Sequence, residues 1–543
     1  MRSQLHAFAF DRRGNFGIIS AVLAVPLVLS VALAIDFTKI SSKRSALQQA
    51  ADSAVMAIAR EGKDVSDNDA QLIASKFIDG NLALKGTTFQ VVKQGTHFAV
   101  DATVSADLSF GALLGYQNWP VKVAATADIA YASYEIALVL DTTGSMKGGK
   151  IAALKDAVIG LVDTMSAQVK DKDKLSFAMV PFSAFVNVGP QYGPSFDKNG
   201  KQIAGTGAQW LDLAGQSTLP QAELGAGASR FQLYANLGQT WPGCVETRFA
   251  NGTDLDVDDT TPSQGKPSTL FVPAFSIDEP DTTDFFNSYI VSDAKPKNND
   301  KVEKKKRWAK YGVKTDNNGD PLLNGLLDQV TAGAGKLLNL NGKKVVQIDT
   351  SPSAATGQPK GPGSRCDSQP IVPLGNDYAG LKTKVDALQA SGNTNIMEGV
   401  AWGRRVLSPG EPFDVPAPSR DTQRIMIVLT DGSNVFGNAT NELGSNYSSN
   451  GYLVDGRLGI VGGGASATNV LMNERTLQAC TLAKQDGIEV YTIRLEEPNV
   501  TTGNMLKECA SGDDHFIDVP NRAQLDEAFA KIKENIVRIR MSS

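Results

Sequence analysis

Asp141-Thr142-Thr143-Gly144-Ser145 follows directly on the apolar run from Ile136 to Leu140. Asp431-Gly432 follows a second apolar run, from Ile425 to Leu429, in the same way. Short runs that are apolar throughout are typical of parallel strands buried on both faces. Because open α/β sheets bind ligands beyond the carboxyl ends of their strands, both aspartates are predicted to lie at one edge of such a sheet.

A third segment, Gly392-Asn393-Thr394-Asn395, carries further oxygen-bearing side chains. Carboxylates and hydroxyls are hard donors, and Mg²⁺ takes oxygen ligands at about 2.0 to 2.1 Å. No thiol or imidazole lies near these segments in the sequence, which disfavours zinc and copper. The sequence therefore predicts a site for Mg²⁺, with Mn²⁺ or Ca²⁺ as alternatives, formed by Asp141, Thr143, Ser145, Thr394 and Asp431. The simpler alternative is a turn at 141–145 that only caps a helix.

These three segments resemble the metal-ion-dependent adhesion site of von Willebrand factor A domains. The shared pattern is Asp-x-(Ser/Thr)-x-Ser, then a Gly-x-Thr loop, then a strand ending in Thr-Asp-Gly. The resemblance implies that the hydroxyls of Thr143, Ser145 and Thr394 contact the metal, while Asp141 and Asp431 bind it directly or through water. It also implies an open coordination position that an Asp or Glu of a partner fills. Thr143 stands where many members have Ser, but it keeps the hydroxyl.

Composition restricts the function only weakly. The chain has 543 residues, of which 42% are hydrophobic and 20% charged, and its net charge is −5. The length is sufficient for two or three domains. An acidic balance argues against a nucleic-acid partner, because nucleic-acid binders are usually basic.

The N-terminal region predicts a membrane helix. After a predicted cytoplasmic tail (1–15), residues 16–35 are uncharged and mostly apolar, and 20 helical residues span about 30 Å, the thickness of a hydrocarbon core. Residues 36–60 are predicted to continue as a juxtamembrane helix. The alternative is a cleaved signal peptide, because Ala32-Leu33-Ala34 has the small-x-small form of a cleavage site.

The cysteines indicate the side of the membrane on which the bulk of the chain lies. Basic residues flank the apolar run almost equally, so they do not decide its orientation. An even number of widely spaced cysteines fits disulfides outside the cytoplasm. We expect two pairs, Cys244 with Cys366 and Cys480 with Cys509. The alternative is four free thiols in a reducing compartment.

The rest of the chain reads as two parts. Residues 61–130 are predicted to form a small α+β module with a helix at 67–83 and strands at 89–92, 98–104 and 121–129. From residue 134 to 543, strands alternate with helices. This alternation predicts an α/β fold with a doubly wound, mostly parallel, Rossmann-like sheet, which is the von Willebrand A domain of the resemblance.

A long segment interrupts that alternation. Residues 189–376 are rich in Gly, Asn, Asp and Pro, and we expect an inserted subdomain there. Just before it, Leu175 to Pro181 and Phe185 to Val188 are predicted to form a hairpin, and turns are predicted at 197–200 and 316–319. The basic run 304–307, with Lys301 and Lys310, is interpreted as a solvated face or as a surface that attracts an anionic polymer.

Several features resemble the TadE/TadG-like assembly proteins of the Flp (Tad) pilus, in particular the long TadG type with a von Willebrand A domain. The matching pieces are Arg13-Gly14-Asn15-Phe16, Asp36, Ala50 to Ala54, Trp241 to Arg248, Cys366 with Pro370, Ala401-Trp402-Gly403, Cys480 and Cys509-Ala510-Ser511. The resemblance implies a single-pass protein of the bacterial inner membrane, with a cytoplasmic N-terminus and its bulk in the periplasm. Gly14 is followed five residues later by Ile19, where a prepilin-peptidase pattern has Glu, so pilin-like processing is not expected.

The sequence thus favours a non-enzymatic module that binds a protein partner, a pilus or envelope component, through a divalent metal. The alternative is a structural envelope scaffold or adhesin whose metal site is not required for binding. A metal-dependent hydrolase is a third hypothesis, but the chain has only three histidines, His6, His97 and His515, and none is near the motifs.

Overall fold

The structure is a computed structural model that describes residues 15–538 except 62–64, 81–85, 95–96, 129–132, 170, 220, 225–226, 250–256, 281–284, 291–308, 314–336, 341–342, 355–356, 420–421, 438 and 440. The chain divides into two compact units. One comprises the residues before 132 together with those from 536 onward, and the other comprises residues 132–535.

The first unit is organised around one long helix, α1 (Asn15–Arg60). Its N-terminal part is long and apolar enough to cross a membrane, by length and composition, and a signal sequence has the same two properties. The predicted membrane and juxtamembrane segments are therefore parts of a single continuous helix. Pro26 lies inside it, a position that membrane helices tolerate because neighbouring groups satisfy the freed backbone.

The remainder of this unit packs on the C-terminal part of α1. It comprises a helix and three strands, which are α2 (Asp67–Asp79), β1 (Thr88–Gln94), β2 (His97–Asp107) and β3 (Asn118–Asp128). The strands form an antiparallel sheet in the order β1-β2-β3. Buried and exposed residues alternate along β2, so one face of the sheet is covered, and α1 contacts β2, β3 and α2. The helix and all three strands were predicted, with shorter strands and a longer helix.

The second unit contains a six-stranded mixed sheet. Its strands and those of a separate two-stranded ribbon are β4 (Ser133–Asp141), β5 (Leu175–Phe182), β6 (Leu337–Leu340), β7 (Lys343–Val346), β8 (Val372–Gly375), β9 (Thr422–Thr430), β10 (Ile488–Leu495) and β11 (Phe516–Val519). The sheet order is β11-β10-β9-β4-β5-β8. All neighbours are parallel except β5 and β8.

Seven helices are described in this part of the chain: α3 (Gly149–Gln168), α4 (Arg230–Asn236), α5 (Tyr378–Asp386), α6 (Ile396–Arg405), α7 (Gly464–Gln485), α8 (Val500–Cys509) and α9 (Leu525–Arg538). Local capping explains where two of them begin. The side chain of Asn395 accepts a hydrogen bond from Glu398 N at the start of α6, and Asn499 does the same for Thr502 N at the start of α8.

The segment 189–376 shares a hydrophobic core with the sheet. Every residue of β9 is buried, and one apolar cluster contains residues of β4, β5 and β9 together with aromatic residues from the segment. Phe271 of the segment, for example, lies with its ring centroid 4.8 Å from that of Trp402 on α6. The four cysteines form two disulfides, Cys244–Cys366 within the segment and Cys480–Cys509 between α7 and α8, which are the two pairs expected from the sequence.

Four local predictions in this part of the chain have different outcomes. The hairpin of Leu175–Pro181 with Phe185–Val188 is wrong, because β5 pairs in parallel with β4 and only Phe182 bridges back, to Val186. The turn at 197–200 is confirmed, because Asp197 N donates to Lys201 O at 2.8 Å. The turn at 316–319 and the basic run 304–307 lie outside the described residues.

Lys310, which the sequence placed on a basic face, is buried with only 5% of its surface exposed. Its ammonium lies 3.2 Å from a carboxylate oxygen of Asp278 and 3.3 Å from one of Glu223. Interpreting it as part of a solvated face or a polymer-binding surface is therefore wrong. A buried charge needs partners, and two acidic residues of the same segment provide them.

Candidate metal centre

Two neighbouring strands place the two aspartates side by side. β4 ends at Asp141, and β9 ends at Thr430, immediately before Asp431. The two strands are parallel, with Leu140 opposite Leu429, so both carboxylates emerge at the same edge of the sheet. This is the edge that the sequence predicted.

Backbone hydrogen bonds join the loop after β4 to the loop before α6. Ser391 N donates to Thr142 O at 2.8 Å, and Gly144 N donates to Gly392 O at 3.0 Å. Gly392 has a φ of +84°, and a Cβ there would lie 3.2 Å from Ser183 Cβ. Glycine is favoured at this position because it adopts positive φ without strain. The Thr394 loop is thereby held against the Asp141 loop.

The loop after β9 is fastened to the same place. Val435 N donates to Thr394 O at 2.8 Å, and Ile396 N donates to the side-chain oxygen of Asn434 at 2.8 Å. The loop before α6 is therefore hydrogen-bonded both to the loop after β4 and to the loop after β9. Through it all three loops are held together.

The structure brings all five predicted side chains together in one hydrogen-bonded chain, which we call the edge cluster (Asp141, Thr143, Ser145, Thr394 and Asp431). Thr143 Oγ1 donates to Asp141 Oδ1 at 2.6 Å, and Thr394 Oγ1 donates to Thr143 Oγ1 at 3.3 Å. Ser145 Oγ lies 3.0 Å from Thr143 Oγ1 and donates to Asp431 Oδ1 at 2.6 Å. Ser145 is exposed and the other four are buried, so the cluster opens to solvent at Ser145.

Two contacting residues were missed by the sequence analysis. Thr430 Oγ1 donates to Asp141 Oδ2 at 2.6 Å, although Thr430 was considered only as part of a strand-ending motif. Lys150 Nζ donates to Asp431 Oδ2 at 2.7 Å and forms an ion pair with it. Lys150 lies in the first turn of α3, where a cation is disfavoured by the helix dipole. Its ion pair with Asp431 offsets that unfavourable position, and no motif in the sequence indicated the pair.

The electrostatics of the cluster are asymmetric. Burial of the carboxylate and then the neighbouring charge of Asp431 raise the pKa of Asp141 to about 6, although hydrogen bonds from Thr143 and Thr430 partly oppose the rise. Asp431 has the ammonium of Lys150 as a counter-charge, whereas Asp141 is hydrogen-bonded only to neutral groups. A cation placed between the two carboxylates would relieve their repulsion.

The donor set fits a hard divalent cation. It consists of two carboxylates and three hydroxyls, all oxygen, as Mg²⁺, Mn²⁺ or Ca²⁺ prefer. Among the described residues no group of three or more His, Cys, Asp and Glu side chains is gathered in a form that could hold a metal. A cation at this edge would therefore complete its coordination with hydroxyls or with water. His515 hydrogen-bonds to Glu489 and Asp514 and takes no part in the hydrogen bonds of the cluster.

A family model described as "Putative Flp pilus-assembly TadE/G-like" (Tad) matches residues 14–60. The match corresponds to α1 and covers a small part of the 543 residues. The chain thus carries a TadE/G-like pilus-assembly segment at its N-terminus. A comparison with curated protein sequences finds no match.

Solved structures with some likeness to this chain include pilus proteins. The pilus adhesin SpaC from Lactobacillus rhamnosus GG is 10% identical with a TM-score of 0.31, and the match covers 83% of this chain and 34% of the adhesin, so this chain spans about a third of its length. The vWF domain of a type V pili tip protein from Porphyromonas gingivalis is 9% identical with a TM-score of 0.31, and the match covers 76% of this chain and 97% of that domain. An adhesive tip pilin from Group B Streptococcus agalactiae has the same identity and TM-score, with 75% and 100% covered. Likeness at this level carries no argument about function.

Proposed function

We propose that this chain is a membrane-anchored envelope protein of Flp pilus assembly, of the TadG type, that binds a protein partner through a divalent metal. In this proposal residues 134–543 form a doubly wound von Willebrand A domain that is interrupted by the segment 189–376, and the edge cluster is its metal-ion-dependent adhesion site. The cation is Mg²⁺, with Mn²⁺ or Ca²⁺ as alternatives. When bound, it offers a coordination position to an Asp or Glu of the partner.

The observation that carries the proposal is the convergence of five oxygen-bearing side chains from three separate loops. Their hydrogen bonds to one another span 2.6 to 3.3 Å, so a small cation among these oxygens could take the place of the hydrogen bonds that now link them. The solvent-exposed side chain of Ser145 leaves an approach for a partner. The raised pKa of Asp141 supports the same conclusion, because the carboxylate is buried and lies beside the charge of Asp431, and a bound cation would favour its ionised form.

The membrane arrangement is also part of the proposal. The TadE/G-like match over residues 14–60 supports a pilus-assembly role in the cell envelope. In the proposed topology, α1 spans the bacterial inner membrane once, with a cytoplasmic N-terminus and a periplasmic bulk. The two disulfides support that side for residues 132–535, because disulfides persist in the periplasm and are rare in the cytoplasm. The chain acts by binding, without catalysis.

Thermal unfolding with magnesium and with EDTA tests the metal site. Free metal at 100 times its dissociation constant stabilises the folded protein by about 2.7 kcal/mol. We expect the wild type to show this shift and Asp141→Ala to lose it. The matched control is Asp163→Ala, which removes an exposed carboxylate paired with Lys382 and should keep the shift. An equal metal shift in wild type and Asp141→Ala would exclude the edge cluster as the site.

Crosslinking and pull-down from envelopes, with and without EDTA, tests the partner. We expect a partner that is captured in magnesium, is lost in EDTA and is not captured by Asp431→Ala. Capture that is unaffected by both changes would favour the alternative, a structural scaffold or adhesin that does not need the metal site.

A further inference from the structure

The tip of the β2–β3 hairpin (residues 108–119, the hairpin tip) is fastened to α1 at the end of its apolar run. Asp36 is the first charged residue after that run, and it is buried, with 4% of its surface exposed. Its carboxylate accepts hydrogen bonds from the backbone N–H groups of Ser109, Phe110 and Gly111 at 2.7, 2.9 and 2.7 Å. Lys39 Nζ also donates to Ser109 Oγ. Charge-assisted bonds of this kind are among the stronger ones in proteins.

Further contacts show which way the hairpin points. Lys43 Nζ donates to Ser105 O at 2.7 Å, and Gln48 Nε2 donates to Ala124 O at 3.2 Å. Helix positions farther from the apolar run therefore meet hairpin positions farther from the tip. The hairpin lies along α1 with its tip directed toward the apolar segment and level with Asp36.

The hairpin tip exposes large aromatic side chains. Phe110 is 37% exposed, Tyr116 59% and Trp119 49%. The rings of Tyr116 and Trp119 contact each other edge to face, with their centroids 6.5 Å apart. Next to Asp36 on the helix, Phe37 is 71% exposed.

This concentration is specific to one level of the molecule. Among the described residues, the exposed large aromatic side chains are Phe37, Phe77, Phe110, Tyr116 and Trp119. All but Phe77 lie at the level where the apolar run ends. Trp and Tyr are enriched where a membrane meets water, because their rings are apolar while their N–H and O–H groups remain hydrated.

We propose that the hairpin tip inserts its aromatic side chains into the interfacial layer of the phospholipid bilayer that α1 crosses. The inference rests on the proposed membrane span of α1 and adds a second contact between chain and membrane. The occupant of this aromatic surface is therefore lipid rather than a protein. With the helix and the tip both in the bilayer, the first unit is held at two points, which restricts the tilt and rotation of α1.

Fluorescence quenching by brominated phosphatidylcholine tests this inference on the full chain reconstituted in vesicles. Bromine attached near the glycerol end of the acyl chains quenches indoles that lie in the interface. We expect quenching in the wild type and a loss of more than half of the quenched amplitude in Trp119→Phe, which keeps an aromatic ring. The matched control, Trp210→Phe, removes a tryptophan that is 3% exposed and should leave that amplitude unchanged.

A carbonate wash of the same vesicles separates the two ways of failing. A chain that resists carbonate extraction while Trp119→Phe and wild type are quenched equally would overturn the inference and leave the membrane span intact. A chain that carbonate extracts would overturn the span and the inference together.

Discussion

Two groups of buried carboxylates in residues 132–535 balance their charge in different ways. Glu246 is fully buried and lies between two guanidinium groups, 2.6 Å from Arg230 and 3.0 Å from Arg457. Tyr447 also donates a hydrogen bond to it. Asp455 lies 3.9 Å from Arg457. We call this group the Glu246 cluster (Glu246, Arg230, Arg457, Tyr447 and Asp455). It contains two carboxylates and two guanidinium groups, so its charges balance.

The edge cluster is not balanced in this way. Its two carboxylates are accompanied by one ammonium, that of Lys150, and otherwise by hydroxyl and amide groups. In the proposed function the edge cluster is the binding site, and this difference in charge balance separates it from the Glu246 cluster. We infer that the compensated charges of the Glu246 cluster support the fold, whereas the edge cluster has an excess of negative charge that a cation from solution would reduce.

The largest expected effect is at the Glu246 cluster. Glu246→Gln leaves Arg230 and Arg457 without their main counter-charge, and breaking a buried ion pair from one side costs about 3 to 5 kcal/mol. We expect the midpoint of urea unfolding, measured by near-UV circular dichroism, to be lower in this variant. The loss of unfolding free energy should be the same in magnesium and in EDTA.

Asp163→Asn is the control for this measurement, because it alters an exposed ion pair with Lys382, and such pairs contribute at most about 1 kcal/mol. If Glu246→Gln were no more destabilising than this control, the buried cluster would not be a structural support. If magnesium reversed the loss of stability in Glu246→Gln, the Glu246 cluster would depend on metal, and its charges would not be balanced by the protein alone.

The next largest effect on the free energy of unfolding is at Asp141, where the substitution is expected to stabilise the metal-free protein. Its pKa of about 6 in the folded protein exceeds the value of about 3.9 for an unperturbed Asp. The folded state therefore holds the proton more tightly, so metal-free stability falls as pH rises from about 4 to 6 and stays low above that. Asp141→Asn removes this penalty, and we expect it to stabilise the metal-free protein at pH 7.5 by about 3 kcal/mol.

Thermal unfolding in EDTA at several pH values measures this effect. The stability difference between Asp141→Asn and wild type should vanish below about pH 3, where the carboxyl is protonated in both states. In magnesium at 100 times its dissociation constant most of this difference should disappear, because only the wild type gains from the metal. A variant that is less stable than wild type in EDTA at pH 7.5 would show that Asp141 is already fully compensated without metal.

The sequence was informative where local chemistry decides the structure. β4 and β9 are apolar runs with sharp ends, and an all-apolar run has few alternatives to a buried strand. Parallel strands bring their carboxyl ends to one edge, so the positions of Asp141 and Asp431 followed from the strand assignment alone. The predicted segments of the candidate site were correctly brought together, while metal binding itself stays a prediction.

Elements that depend on distant partners were not predictable from the sequence. β8 and β11 are four residues long and lie at the two edges of the sheet, and β8 contains Pro373, which edge strands tolerate. The described parts of the segment 189–376 have little regular structure, and they are held by side chains that meet although they are far apart in the sequence. Arg248 and Arg405, for example, lie on Phe271 at 4.5 and 5.1 Å from the ring centroid. No periodicity reveals such contacts.

The smallest expected effect is at Lys150, the cation that balances part of the charge of the edge cluster. The ammonium occupies Asp431 Oδ2 at 2.7 Å and repels a second cation, so it competes with a metal for the edge cluster. Lys150→Met removes the charge and keeps the length of the side chain. We expect magnesium to bind about 5 to 10 times more tightly, which corresponds to about 1 kcal/mol, as measured by isothermal titration calorimetry.

Lys155→Met provides the matched control, because Lys155 lies on the same helix and donates to Asp386 O at 2.7 Å. Its removal changes the net charge equally but leaves the edge cluster intact, so a general charge effect would appear in both variants. Tighter binding in Lys150→Met alone means that the edge cluster carries a partial internal counter-ion that the metal displaces. Weaker magnesium binding in Lys150→Met would mean instead that Lys150 orients Asp431 for the metal. The edge cluster and the Glu246 cluster would then differ less in charge balance than their ion pairs indicate.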